Sequence, residues 1–166
     1  MFVESIESNL IWLLVNKAAY LLRNYWFKKC TFANANLKIN MAIKIDATNI
    51  LLENIINAIQ DVKGQEIISL DLRKLDTAIS KYFVICTGNS NTQVKAIEGS
   101  IKKSISKNLE EKPFNVEGSN VGEWILMDYS DIIVHIFQEK TRNFYNIEDF
   151  WGDAKFITYK EKANEK

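Results

Sequence analysis

Residues that carry covalent or metal chemistry are scarce in this chain. Its 166 residues include one histidine, His135, two cysteines, Cys30 and Cys86, one proline, Pro113, and six glycines. A lone histidine cannot build a histidine-rich metal site, and a catalytic triad around it would need partners remote in sequence. The cysteines lie far apart, in no metal or redox spacing, which fits a reducing compartment with Cys86 as a small buried strand residue. No Walker or dinucleotide glycine pattern is present. Long apolar runs are missing too: Leu10–Val15 is interrupted by Asn16 and Lys17 before Ala18–Leu22, too short and broken to span a membrane. It also lacks the positive start and small-residue cleavage site of a secretory signal. There is no internal repeat and no low-complexity linker.

What is present suits one globular domain with room for a real core. Net charge is zero, from 21 basic and 21 acidic side chains. Residues 1–40 hold five basic residues (Lys17, Arg23, Lys28, Lys29, Lys38) and two acidic ones (Glu4, Glu7). From Met41 onward 16 of the 21 basic and 19 of the 21 acidic residues remain. That mildly acidic stretch is poorly suited to phosphate-backbone binding and better suited to a basic protein partner. Residues 1–40 are expected to be a non-conforming extension, either preceding a true start at Met41 or forming a disordered or marginally helical segment. Glu4 and Glu7 argue against an organellar transit peptide, and the protein is expected in the cytoplasm rather than an organelle matrix.

The pattern predicts a helix over Asn49–Val62, from Leu51, Leu52, Ile55, Ile56, Ile59 and Val62, with Thr48 as N-cap and Gly64 as stop. Glu66–Leu70 reads as a short strand, Asp71–Lys81 as a loop, and Tyr82–Thr87 as a buried central strand. Ser90 and Gln93 form a capping-box pattern that opens a second helix with Val94, Ile97, Ile101 and Ile105 on one face. Phe114–Val116 and Phe156–Tyr159 read as edge strands, and the aromatic-rich Arg142–Trp151 as a short helix or turn packing onto the sheet. Strand-Gly88-Asn89-Ser90-helix could face a phosphate, but a capped turn explains it equally and more simply.

The central feature is Glu123–Phe137, two short strands joined by Asp128-Tyr129-Ser130-Asp131. A loop centred on Tyr129 and Ser130 would set Asp128 opposite Asp131, Leu126 opposite Ile133 and Trp124 opposite His135. Side chains alternate along a strand, so Ile125, Met127, Ile132, Val134 and Ile136 share an apolar core face. Trp124, Leu126, Asp128, Asp131, Ile133, His135 and Phe137 share a mixed face. That face is either a recognition surface with an aromatic anchor or is covered by a second layer, and the pattern favours the cover. Asp128 and Asp131 could hold Mg²⁺ for nucleotidyl transfer, although turn-forming aspartates are the commoner case. Arg142 and Glu148 could either pair, pinning the aromatic segment, or equally stand solvated.

Tyr82-Phe83-Val84-Ile85-Cys86-Thr87-Gly88-Asn89-Ser90, then Glu117-Gly118, then Trp124-Ile125-Leu126-Met127-Asp128-Tyr129, Val134-His135-Ile136-Phe137, and finally Arg142, Phe144, Tyr145, Ile147, Glu148 and Trp151 in their spacing resemble the ribosomal silencing factor family, also called Iojap-like proteins. The resemblance covers about Asn49–Tyr159. It implies an α/β domain with one mixed sheet and flanking helices, related to nucleotidyltransferases but non-catalytic and without a cofactor. It implies binding to the large ribosomal subunit at ribosomal protein L-fourteen, blocking the small subunit and lowering translation. It also links organelle members to large-subunit assembly and suggests a possible homodimer. Trp124, Leu126, Asp128 and His135 would form the contact, extended by Tyr129, Tyr145 and Trp151. The alternative is a metal-dependent nucleotidyltransferase-like enzyme using Asp128 and Asp131, although Gly88-Asn89-Ser90 departs from the Gly-Ser motif it needs. Two departures from the family stand out: Ser130 replaces a usual glycine, which predicts a strained or reshaped turn, and Ser80-Lys81 replaces a usual Ala-Asp.

Overall fold

A computed structural model describes residues 36–75 and 77–160, with side chains from Ala47 onward. One compact unit is Ile43–Lys166. The readings of residues 1–35 lie outside the described residues.

Helix α1 runs over Asn36–Asp61, well before the expected start. Nothing between Met41 and Asp46 breaks a helix, so Thr48 lies inside it rather than capping it. The buried Thr48 hydroxyl instead donates to Asp131 Oδ2 at 3.1 Å. The helix ends near the expected place, with two bonds from the following turn: Lys63 N–H donates to Gln60 O and Gly64 N–H to Ile59 O, both at 3.0 Å. Lys63, not Gly64, takes the left-handed conformation, at φ 58°. Gly64 is there for contact: a Cβ would lie 2.3 Å from Ile59 Cγ2.

Strand β1 (Gln65–Asp71) and strand β2 (Tyr82–Gly88) follow, and every residue of β2 is buried. Ser90 caps helix α2 (Asn91–Leu109) by accepting from Gln93 N–H at 3.2 Å. The Gln93 side chain returns the bond to Asn89 N–H at 2.8 Å, one residue earlier than the ideal capping box. The short strand β3 (Asn115–Glu117) leads to β4 (Trp124–Asp128) and β5 (Ile132–Gln138). Two brief helices, α3 (Glu139–Tyr145) and α4 (Ile147–Phe150), precede the last strand β6 (Lys155–Thr158). Among the described residues no helix is long and apolar enough to cross a membrane.

The six strands form one sheet in the order β3-β4-β5-β2-β1-β6. Only β2 and β5 pair in parallel; the other neighbours are antiparallel, so the sheet is mixed. This is the single mixed-sheet α/β architecture expected, with β2 inside and β3 and β6 at the edges. Leu51, Ile55 and Ile59 of α1 and Val94, Ile97, Ile101 and Ile105 of α2 close over one sheet face. They meet Ile67, Val84, Cys86, Ile125, Met127, Ile132, Val134 and Ile136 there. The predicted core face of the hairpin is therefore the observed one. Burial of each such side chain contributes roughly 1.5–3 kcal/mol.

The hairpin register differs from expectation. Trp124 lies opposite Phe137, Leu126 opposite His135 and Asp128 opposite Ile133. Tyr129 N–H donates to Ile132 O at 2.9 Å, so the loop residues are Ser130 and Asp131, one place later than expected. A loop moved by one residue shifts the pairing by two. Because faces alternate with period two, each strand side chain keeps its predicted face; Asp131, expected on the mixed face, lies in the loop and turns instead to Thr48 of α1. Ser130 sits at φ 69°, and Asp128 Oδ1 accepts its N–H at 2.6 Å. The aspartate thus braces a backbone conformation that glycine would take freely.

Candidate functional site

The second sheet face is covered by the aromatic segment after β5, as the pattern favoured. Trp124 is half-buried and stacks on Phe137 with ring centroids 4.9 Å apart. Tyr145 leans on Trp124 from α3 at 5.0 Å, and Trp151 meets Phe83 edge-on at 5.5 Å. Phe83 in turn contacts His135 at 4.9 Å. Six aromatic rings, the His135 imidazole among them, thus link the sheet to the α3–α4 segment.

His135 lies beneath this layer, only 6% exposed. Its Nδ1 accepts from Trp124 Nε1–H at 3.3 Å. That bond fixes the neutral tautomer with its proton on Nε2, which has no partner. Desolvation by burial pushes its pKa down to about 3. The residue is a neutral packing imidazole at physiological pH, not a proton carrier. Leu126 is buried beside it on the facing strand. Tyr129 lies on the opposite face, in the core under α1 and α2. Burial, with Glu111's charge adding to it, raises its pKa, and its hydroxyl is unpartnered. Leu126, Tyr129 and His135 were expected in the contact surface; all three are enclosed, because the second layer and the helices cover them.

The two turn aspartates do not face each other. Asp128 serves the Ser130 amide, whereas Asp131 Oδ2 accepts from Lys81 Nζ at 2.8 Å and from Thr48. Each carboxylate is thus committed to local structure, and the paired-carboxylate arrangement required for a metal is not formed. Lys81, a departure from the family pattern, contributes one of those bonds. The Gly88-Asn89-Ser90 junction is the capped turn: a Cβ on Gly88 would lie 2.9 Å from Val94 Cγ2, so glycine permits close packing there.

Of the expected contact residues, Trp124, Asp128, Tyr145 and Trp151 retain surface. Beside them stand two residues that the sequence reading did not place in the contact, Phe144 (70% exposed) and Phe150 (81% exposed). Phe144 meets Tyr145 edge-on at 5.1 Å, and Phe150 meets Trp151 at 5.6 Å. The signal was available. Side chains of successive residues diverge, by about 100° within a helix such as α3, so an adjacent aromatic pair cannot direct both rings at the sheet. One ring of each pair anchors and the other stands in solvent. Glu139, Asp149 and Asp153 are exposed in the same segment, against one exposed lysine, Lys140. Exposed aromatics with an acidic rim suit docking against an apolar, basic protein surface.

Gly118 shapes the approach to Trp124. It sits at φ 82°, and a Cβ there would lie 1.9 Å from Trp124 O. The loop can close on β4 only with glycine at this point, which explains the Glu117-Gly118 motif.

The chain as a whole is similar to known proteins in sequence and in structure. The family model described as ribosomal silencing factor during starvation matches residues 45–166. A ribosomal silencing factor of Halalkalibacterium halodurans is 37% identical over 108 residues, covering 64% of this chain and 90% of that protein. The chloroplastic Iojap protein of Zea mays is 34% identical over 100 residues, covering 58% of this chain and 41% of that protein. A crystal structure of a Chromobacterium violaceum protein superposes with a TM-score of 0.60 at 32% identity, covering 70% of this chain and 95% of that one.

Proposed function

The chain belongs to the ribosomal silencing factor family, and on that basis we propose that it docks on the large ribosomal subunit at ribosomal protein L-fourteen. Bound there it stands in the way of the small subunit and represses translation. The observation that carries this reading is the family match across residues 45–166, the whole compact domain. The exposed Phe144 and Phe150 beside half-buried Trp124, Tyr145 and Trp151 support it, as aromatic anchors do at protein interfaces. Asp128 and the acidic side chains of the α3–α4 segment would meet the basic partner. Leu126 and His135 would act from beneath by holding the anchors in shape, whereas Tyr129 serves the core on the other face. The reading involves no reaction and no cofactor, and it places the protein wherever its ribosomes are: in the cytoplasm, or in an organelle matrix if residues 1–40 prove to be a transit peptide. Self-association of the free chain into a homodimer belongs to the same proposal, and light scattering at several concentrations tests it.

The decisive experiment is sedimentation of the purified full chain with isolated ribosomal subunits through a sucrose gradient. Comigration with large subunits, and fewer joined ribosomes when small subunits are added, is the expected result. A chain that remains at the top of the gradient with every particle refutes the proposal.

A further inference from the structure

We propose that Arg142 is a positioning residue for docking: its guanidinium latches the α3–α4 segment so that Phe144 and Phe150 stand at the geometry the ribosomal partner reads. This inference rests on the docking reading above and deepens it.

Arg142 is a charged side chain taken almost wholly out of solvent, 9% exposed. Its Nε donates to Glu148 Oε1 at 2.6 Å. Its Nη1 donates to Thr87 Oγ1 at 2.7 Å and to the backbone oxygen of Glu66 at 2.9 Å. Three separate pieces of chain are thereby tied together: the end of β2, the start of β1 and the first turn of α4. The receiving strand is built for this contact. The β1–β2 register shifts between Gln65 and Ile68, and Glu66 lies within that irregularity at φ 46°, a conformation that costs a non-glycine residue energy. The Glu66 carbonyl can then accept from the guanidinium.

The latch closes a ring of chain. Asn146 N–H donates to Arg142 O at 2.8 Å, and Asn146 is itself left-handed at φ 40°, so the backbone reverses sharply between α3 and α4. Glu148 then returns its carboxylate to the Arg142 side chain. Phe144 lies within this ring and Phe150 two residues beyond it. Each rests on an inner ring, Tyr145 or Trp151, and both stand mostly in solvent. Stability alone is a weak reason to bury such a pair, since apolar side chains of equal volume usually serve as well. A directional pair defines where the outer rings stand.

The test uses the full chain with Glu148→Gln, which keeps size and an acceptor oxygen but removes the charge, and with Arg142→Lys, which keeps charge but loses the fork. Amide hydrogen exchange is read over residues 143–151 against β2 and β5, together with affinity for large subunits by sedimentation. In the expected result the segment exchanges faster while β2 and β5 stay protected. Affinity falls about tenfold, and Phe150→Ala, costly in the native chain, adds little in the Glu148→Gln background. That non-additivity is a readout that a merely structural role would not produce. Unchanged exchange, unchanged affinity with a loosened segment, or full additivity would each overturn the latch. If the native chain itself fails to bind large subunits, the docking reading falls and the latch's docking role falls with it. If the native chain binds and Glu148→Gln binds equally well, only the latch fails. Should Arg142→Lys not fold, Glu148→Gln decides alone.

Discussion

Acidification should destabilise this protein through one residue. His135 is the only histidine in the chain, so apart from the terminal amine it is the only ordinary group expected to titrate between about pH 5 and 8. In the unfolded chain its pKa is about 6.5. In the folded protein burial holds it down to about 3, with Trp124 bonded to Nδ1. Below about pH 6.5 the unfolded state therefore binds a proton that the folded state refuses, and stability falls as pH falls until the folded value is reached. Each pH unit in that window removes about 1.4 kcal/mol. At pH 5.0, before the carboxylates contribute much, the loss is about 2 kcal/mol relative to pH 7.5. Urea unfolding at pH 7.5, 6.5, 5.5 and 5.0 measures it, and His135→Gln supplies the reference, since its own stability should change far less over that range. The single imidazole resonance in a proton NMR titration should stay in its neutral position down to pH 5. An imidazole that titrates near 6.5 in the folded protein, or equal pH slopes for the native chain and His135→Gln, would refute the buried neutral assignment.

Other substitutions separate packing from docking. Trp124→Ala should weaken large-subunit binding by more than about tenfold, roughly 1.4 kcal/mol, and also lower the melting temperature, because it removes the one ring that packs against both Phe137 and Tyr145; unchanged affinity with lower stability would confine it to the core. Gly118→Ala should destabilise by 2 kcal/mol or more, on the order of a strained backbone plus a steric clash with Trp124 O, as read by urea unfolding. A native-like midpoint would mean that the loop has room to move. Ser130→Gly should stabilise by about 0.5–1 kcal/mol, because φ 69° costs serine more than glycine; a loss would mean that the Asp128 brace already removes the strain.

The core was legible in the sequence because it depends on parity and periodicity. Ile125, Met127, Ile132, Val134 and Ile136 reach the predicted face even though the hairpin register was misplaced, since a shift of two residues leaves every face unchanged. The loop position itself was not legible. Asp128-Tyr129-Ser130-Asp131 has polar residues at three of four places, and the choice falls to one side-chain bond, Asp128 to the Ser130 amide. Thr48 misled for a related reason: a good capping residue does not start a helix where the preceding residues continue it. The candidate surface was half legible. The aromatic density after Phe137 was visible, and so was the Arg142–Glu148 pair. Which ring of each adjacent pair would stand outward, and that Arg142 would also bind Glu66 and Thr87, depended on contacts 76 and 55 residues away in sequence.

The strand order also governs how the chain reaches this fold. The innermost pairing joins Tyr82 to Ile132 and its neighbours in parallel, across the whole of α2, β3 and β4. The adjoining β4–β5 hairpin closes over a two-residue loop. Local closure costs little entropy and distant closure costs more, so the hairpin and the β1–β2 pair have the means to form early, whereas the β5 edge of β2 must wait for its partner. Until then the edge of Tyr82–Gly88 that receives β5, in a strand buried throughout in the folded chain, is unpaired. During synthesis β2 leaves the ribosome some fifty residues ahead of β5, and that interval is when the chain is most exposed to mispairing with another copy.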